Sequence, residues 1–260
     1  MAQLTWGALG ERYYDAGIDR GVLYLTDEDG VVWNGLVSVD ENPAGGDFTP
    51  YYLDGTKAIN LTSAEDFSAT IQAYSSPSKF DACDGIVSIH QGIFATNQPR
   101  TFFGFSYRTK IGDDVNGLDK DYKIHLIYNA LAAPSDRGNA TTSSSTNPIK
   151  LSWDISTIAP LIDGYKATAH LIIDSTAITA LQLPYLEAIL YGSIDTPPRL
   201  PTPQELIAII AETITLVITI LEDGAYSAEG LAVEAVSSGI FSINHEAVVV
   251  NEVDGSFTIF

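Results

Sequence analysis

The stretch from Thr101 to Pro134 limits what this chain can fold into more than any other. Phe103, Phe105, Tyr107 and Thr109 recur at every second position, with Phe102, Gly104, Ser106, Arg108 and Lys110 between them. Further on, Tyr122, Ile124, Leu126 and Tyr128 alternate with Lys123, His125, Ile127 and Asn129. Successive side chains of a strand point to opposite sides, so period-two alternation predicts a long, half-buried hairpin. The polar run Gly112-Asp113-Asp114-Val115-Asn116-Gly117-Leu118-Asp119 lies between the two segments and is rich in turn formers. An aromatic strand face needs a second layer to cover it.

Other segments can supply that layer. Val22 to Thr26 and Val31 to Asp40 read as strands, with Gly35 as a bulge. Asp40 to Thr49 reads as a long flexible connection containing Asn42, Pro43, Gly45, Gly46 and Asp47. A tight hairpin turn is expected at Asp54-Gly55. Phe67 to Tyr74 and Ile149 to Ile155 alternate as strands, and Ala167 to Asp174 forms another, whereas 75–100 is irregular. Phe105, Ile124 and Trp153 each sit on the more apolar face of their strand and are expected in the core. Two helices interrupt the pattern. One spans Pro184 to Tyr191 and stops at Gly192. The other starts at Thr202-Pro203-Gln204-Glu205, a capping box with proline at the first helical position.

No Lys or Arg follows Arg199, and residues 201–260 hold nine acidic side chains among short alternating segments. The composition therefore divides the chain into a main domain, 1–211, and a small acidic β module, 212–260. The fold class is mainly β, with one or two short helices, plus that module. The 16 residues from Leu206 to Leu221 are too short for a comfortable membrane span and read as helix then strand. The first 15 residues lack a basic segment followed by an apolar run, so no signal peptide is expected.

Chemistry-bearing motifs are missing. The histidines His90, His125, His170 and His245 lie on different segments at no metal-ligand spacing. The lone Cys83 is flanked by Asp81 and Asp84, the wrong neighbours for a reactive thiol. Asp113 to Asp119 departs from a calcium loop at its first and last ligand positions and reads as a solvated acidic turn. No catalytic residue, cofactor or metal is expected, and the chain does not read as an enzyme. With 13 Lys and Arg against 33 Asp and Glu, the net charge of −20 disfavours nucleic-acid binding and anionic membranes.

Several strings carry a family resemblance: Trp6-Gly7-Ala8-Leu9-Gly10-Glu11-Arg12-Tyr13-Tyr14, Val32-Trp33-Asn34-Gly35-Leu36, Pro50-Tyr51-Tyr52-Leu53-Asp54-Gly55 and Phe103 to Gly112. Tyr122 to Leu126, Tyr128 to Pro134 and Pro198 to Pro203 extend it over residues 1 to about 210. The sequence resembles the major tail tube proteins of long-tailed, siphovirus-type phages of actinobacteria. The resemblance implies an orthogonally packed β-sandwich with a flanking helix. It implies self-assembly into hexameric rings, stacked into the tail tube of the virion, through which genome DNA is ejected without tight binding. Tape-measure, tail terminator and distal tail proteins are the further partners it implies. On this reading Asp40, Asn42, Pro43, Gly45, Gly46 and Asp47 form an inter-ring loop. The residues alone leave a second class open, a β-sandwich carbohydrate-binding or adhesion module, since Tyr13, Tyr14, Tyr51 and Tyr52 would suit a sugar platform.

Overall fold

The computed structural model describes residues 6–26, 29–135, 137–139, 141, 148–179, 182–194 and 196–211, and the strand segments of 218–259. Expectations for residues 27–28, 142–147 and 212–217, and for His245, lie outside the described residues. The chain opens with β1 (Tyr14–Leu25), β2 (Val31–Val32) and β3 (Leu36–Glu41). β4 (Ala44–Gly45), β5 (Phe48–Leu53), β6 (Thr56–Thr62) and β7 (Glu65–Asp66) then precede β8 (Ser68–Ala73). A 3-10 turn at Ser78–Ala82 leads to β9 (Val87–His90) and β10 (Ile93–Ala95). The long pair β11 (Phe103–Asp113) and β12 (Gly117–Ala132) is followed by β13 (Leu151–Thr157), β14 (His170–Asp174), α1 (Gln182–Tyr191) and α2 (Pro203–Ala211). The architecture is mainly β and antiparallel, with two α-helices among the described residues.

One sheet organises the fold, in the order β2-β1-β11-β12-β13-β8-β3, with β14 also paired to β12. β12 makes both pairings by dividing its length. Lys123 to Ile127 pair with β14, whereas Ala130 to Ala132 pair with β13. Between them the register against β11 slips, from Phe105 opposite Ile127 to Phe103 opposite Ala130, and Asn129 has φ +47°. An extra residue bends a strand, and strands that bend in this way make the corners of orthogonal β packings. The sheet therefore folds over at β12 and brings β13, β8 and β3 across β1 and β11. Its ends nearly meet: Leu36 packs where a side chain at Gly21 would stand.

This fold-over makes two cores. The first gathers Leu23, Trp33, Ile71, Phe80, Phe105, Tyr107, Ile127 and Trp153. Trp33 sits at its centre, with ring centroids 4.5 Å from Phe80, 5.4 Å from Phe105 and 5.5 Å from Trp153. Its indole N–H donates to the Ser75 carbonyl at 2.8 Å, so a large ring is buried without stranding its polar atom. The second core lies on the other side of the sheet, where Val22, Tyr24, Ile124, Leu126, Tyr128 and Ile173 meet Leu186 and Leu190 of α1 and Leu206 of α2.

Phe105, Ile124 and Trp153 are all fully buried, but not together. Phe105 and Trp153 occupy the first core and Ile124 the second. The central hairpin is thus buried on both faces rather than half-buried. The register explains it: Tyr107 stands opposite His125 and Arg108 opposite Ile124, so the apolar sets of the two strands point to opposite sides. Helices cover the second set.

Other local readings change too. The single strand expected over 31–40 is broken at Asn34-Gly35, where Gly35 has φ +81° and Trp33 N–H turns back to the Gly21 carbonyl. The capping box is half made: Thr202 Oγ1 accepts the Glu205 N–H at 3.2 Å, while the Glu205 carboxylate turns to Arg199 instead. Helix α1 begins two residues before Pro184, with Thr179 Oγ1 accepting the Gln182 N–H at 3.3 Å. Asp113 is not solvated. Its carboxylate is buried, accepts the N–H groups of Val115 and Asn116, and meets Lys120 Nζ at 3.1 Å. These donors, the Asn116 N–H foremost, hold its pKa far below the usual carboxylate range.

Beyond α2, six short strands form a separate sheet in sequential order: β15 (Ile218–Ile220), β16 (Tyr226–Ala228), β17 (Leu231–Ser237), β18 (Ile240–Ile243), β19 (Glu246–Val250) and β20 (Phe257–Ile259). β15 pairs with β16 and with no strand of the main sheet.

Candidate assembly surface

The segment expected as a flexible connection is instead one side of a paired arm. β4 pairs with β7 at the base, and β5 with β6 beyond it. Each of the six residues singled out there has a structured place. Asp40 stands opposite Thr70 inside the main sheet, and the Asn42 N–H donates to the Ser68 carbonyl at 2.7 Å. Pro43 leads into β4, where Gly45 has φ +87° and a Cβ would strike the Ala64 carbonyl oxygen. Only glycine fits that crossing of strands. The Gly46 N–H donates to Ala64 O, and the Asp47 N–H to Ser63 Oγ at 3.1 Å. Residues 56–66 supply a partner strand that composition around Pro43 and the paired glycines does not reveal. At the tip, Asp54 and Gly55 have φ +51° and +76°, the left-handed pair of a two-residue hairpin turn.

The arm buries nothing of its own. Every residue of β5 and β6 is exposed, including Phe48 (68%), Tyr52 (63%), Leu61 (54%) and Ile59 (50%). Tyr51 stands directly opposite Ile59, and Thr49 opposite Leu61, so one face carries a continuous apolar strip. A two-stranded hairpin in water is marginal, and contiguous exposed apolar surface marks interaction sites. Six residues of strand give the arm a reach of about 20 Å. A second exposed hairpin, β9–β10, presents Ile89, Ile93 and Phe94.

The main sheet also leaves edges unpaired. Among the described residues no strand lies beyond β14, nor beyond the first half of β1, because β2 reaches only Val22 and Leu23. Such edges are templates for another chain. The β1 side is made rigid by Arg108, whose Nε and Nη2 reach the Asp19 carboxylate at 2.6 and 2.7 Å. The Arg108 hydrogen bond holds Asp19 below the usual carboxylate range. Lys123 Nζ of β12 reaches over β11 to Asp15 of β1 at 2.7 Å.

Where the arm leaves the sheet, polar side chains converge. His125 Nδ1 lies 3.1 Å from His170 Nε2, and Glu41 Oε1 lies 3.3 Å from the first and 3.8 Å from the second. Tyr107 O–H donates to the same Glu41 oxygen at 2.6 Å. Burial, with His170 adjacent, pushes the pKa of His125 down to about 4, and burial lowers that of His170 as well. The two histidines were expected to be unrelated. The register of β12 on β14 joins them: His125 faces Ile172 and Ile127 faces His170, which makes the two imidazoles diagonal neighbours. Spacing along the chain holds no trace of this. His90 lies on exposed β9, and Cys83 is fully buried, its thiol pushed up to about 12 by that burial.

No protein-family profile matches the chain, and no curated protein matches it in sequence. Solved structures similar to it include a chain of the anti-feeding prophage baseplate, at 7% identity and TM-score 0.34, covering 65% of this chain and 97% of that one. A chain of an extracellular contractile injection system, from its sheath–tube complex in the extended state, aligns at 12% identity and TM-score 0.31, covering 60% and 88%. A chain of the anti-feeding prophage tube-terminating cap aligns at 10% identity and TM-score 0.30, covering 67% and 97%.

Proposed function

We propose that this chain is the repeating unit of a phage tail tube. It is a structural protein that closes into hexameric rings, stacks them into a siphovirus-type tail, and forms the conduit for genome DNA ejection. The observation that carries the reading is the arm: a well-paired hairpin whose apolar strip has no cover among the described residues. A second copy of the same chain supplies that cover in the adjacent ring. Two further features support it. The open edges of β1 and β14 lie on either side of β11 and β12, so strand pairing between neighbours would close a ring and leave no edge exposed. The sequence strings that resemble tail tube proteins fall on the segment before β1, the β2–β3 corner, the arm, β11, β12 and the segment entering α2.

The lumen wall of such a tube carries DNA without holding it, which the net charge of −20 per chain suits. Tape-measure, terminator and distal tail proteins are the partners at the ends of the tube. The six-stranded C-terminal sheet is a separable outer module, 212–260. Its all-acidic charge keeps neighbouring tubes apart.

Electron microscopy of the purified protein tests the reading. Six-fold rings or regular tubes support it. A monomer that persists at high concentration and binds glycans through Tyr51 and Tyr52 replaces it with the carbohydrate-binding reading. A chain ended after Ala211 should still build tubes of normal diameter, and an insoluble product would place 212–260 in the main fold.

A further inference from the structure

We propose that Glu41, His125 and His170 bind a divalent first-row transition cation of the zinc type. The site lies at the root of the arm, and neither proposal rests on the other.

Three donor atoms of the right kind point at one place. Glu41 Oε1, His125 Nδ1 and His170 Nε2 are separated by 3.1, 3.3 and 3.8 Å. Ligands about 2.0–2.2 Å from a tetrahedral zinc stand roughly 3.3–3.6 Å apart. The three atoms therefore already form one face of such a tetrahedron to within a few tenths of an ångström. Two imidazoles and a carboxylate suit zinc, nickel or cobalt, whereas calcium and magnesium require more oxygen ligands.

The surroundings fix each donor. Tyr107 O–H donates to the Glu41 carboxylate and stacks its ring on His125, centroids 4.5 Å apart and 7° from parallel. His125 Nε2, the nitrogen left over, lies 3.1 Å from Thr109 Oγ1. Phe67 stacks on His170 at 4.5 Å. Outer hydrogen bonds of this sort orient ligating side chains and set the histidine tautomer. His125 Nδ1 and His170 Nε2 face each other 3.1 Å apart. A cation satisfies both lone pairs at once. Glu41 is partly exposed, so the fourth ligand position has access to water and the cation has a way in.

The ligands come from β3, β12 and β14, and Glu41 is the last residue before the arm. A bound cation would clip the root of the arm to the sheet.

The test is titration of the full chain, stripped with chelator, with cobalt(II) chloride followed by visible absorption, and with zinc chloride followed by calorimetry. We expect one equivalent per chain, tetrahedral cobalt bands, and a rise in Tm that calcium chloride at the same concentration does not produce. His170→Gln should abolish binding, and Tyr107→Phe should weaken it by about ten-fold. Glu41→Gln, on a partly exposed side chain that keeps its neighbours, should weaken zinc at least about ten-fold while leaving the circular dichroism unchanged. This variant decides the matter if His170→Gln does not fold. Absence of stoichiometric binding, or binding that Glu41→Gln leaves intact, overturns the proposal and reduces the cluster to a hydrogen-bonded pair.

Discussion

The central hairpin β11–β12 and the arm β5–β6 follow one local code and meet opposite fates. Both are antiparallel, both carry aromatic residues, and both are joined by turns built on Asp and Gly with positive φ at the glycine. The central hairpin is covered on both faces, by the folded-over strands on one side and by α1 and α2 on the other. The arm is covered on neither. Alternation thus specifies that a segment is a strand with an apolar face; it does not say whose atoms will cover that face. In the first hairpin the cover lies elsewhere in the same chain. In the arm, on the reading proposed above, it belongs to another copy.

Substitutions can break that contrast, beginning where the effect on the isolated chain should be greatest. Trp153→Ala removes a ring packed 5.5 Å from Trp33 and 5.2 Å from Phe80, and should cost about 3–5 kcal/mol in urea unfolding. A loss below about 1 kcal/mol would mean that the first core does not depend on the fold-over. Ile124→Ala probes the opposite face and should cost about 2–4 kcal/mol. A near-neutral result there would show that the helices do not seal the second core.

A smaller effect is expected at the rim of the second core. Asp19→Asn unpairs Arg108 and should cost about 1–2 kcal/mol at neutral pH. The sign of its pH dependence follows from the lowered pKa of Asp19. The stabilisation is complete above the unfolded value of about 3.9 and fades as pH falls through the lower folded value. The difference between wild type and Asp19→Asn should therefore close in acid, and a difference that widened below about pH 4 would contradict the pairing.

The smallest change in subunit stability should come from the arm. Tyr51→Ser, Ile59→Thr and Leu61→Thr should each move unfolding by less than about 0.5 kcal/mol, since these side chains touch solvent. Electron microscopy should nevertheless find rings that no longer stack. Deleting Asn42 to Asp47 should also impair tube growth, now by removing one side of the ladder. Tubes of normal length from either variant would separate the arm from assembly.

Much of the fold is legible in residue order. The strands of the central hairpin, the Asp54-Gly55 turn, the alternation that buries Ile71, Trp153 and Ile155, and the stop of α1 at Gly192, φ +85°, all follow from local sterics and period-two patterning. The candidate sites are a different matter. The sequence singles out Asp40 to Asp47 but misses that residues 63–66 pair with its second half. It scatters His125 and His170 over separate segments. Glu41 carries no signal, and Tyr107 signals only an aromatic strand face.

The division has a physical cause. Turn chemistry, capping and alternation act over a few residues, so the sequence by itself determined where strands and helices form and which side of each is apolar. Which sides face one another depends on pairing register and on where a long strand bends. In this protein those are settled by the slip near Asn129 and by partners far apart in the chain, such as Lys123 with Asp15 and Tyr24 with the Leu190 carbonyl. Only the tertiary structure decided that the hairpin has two covered faces, that the arm has none, and that two histidines and a glutamate share one point.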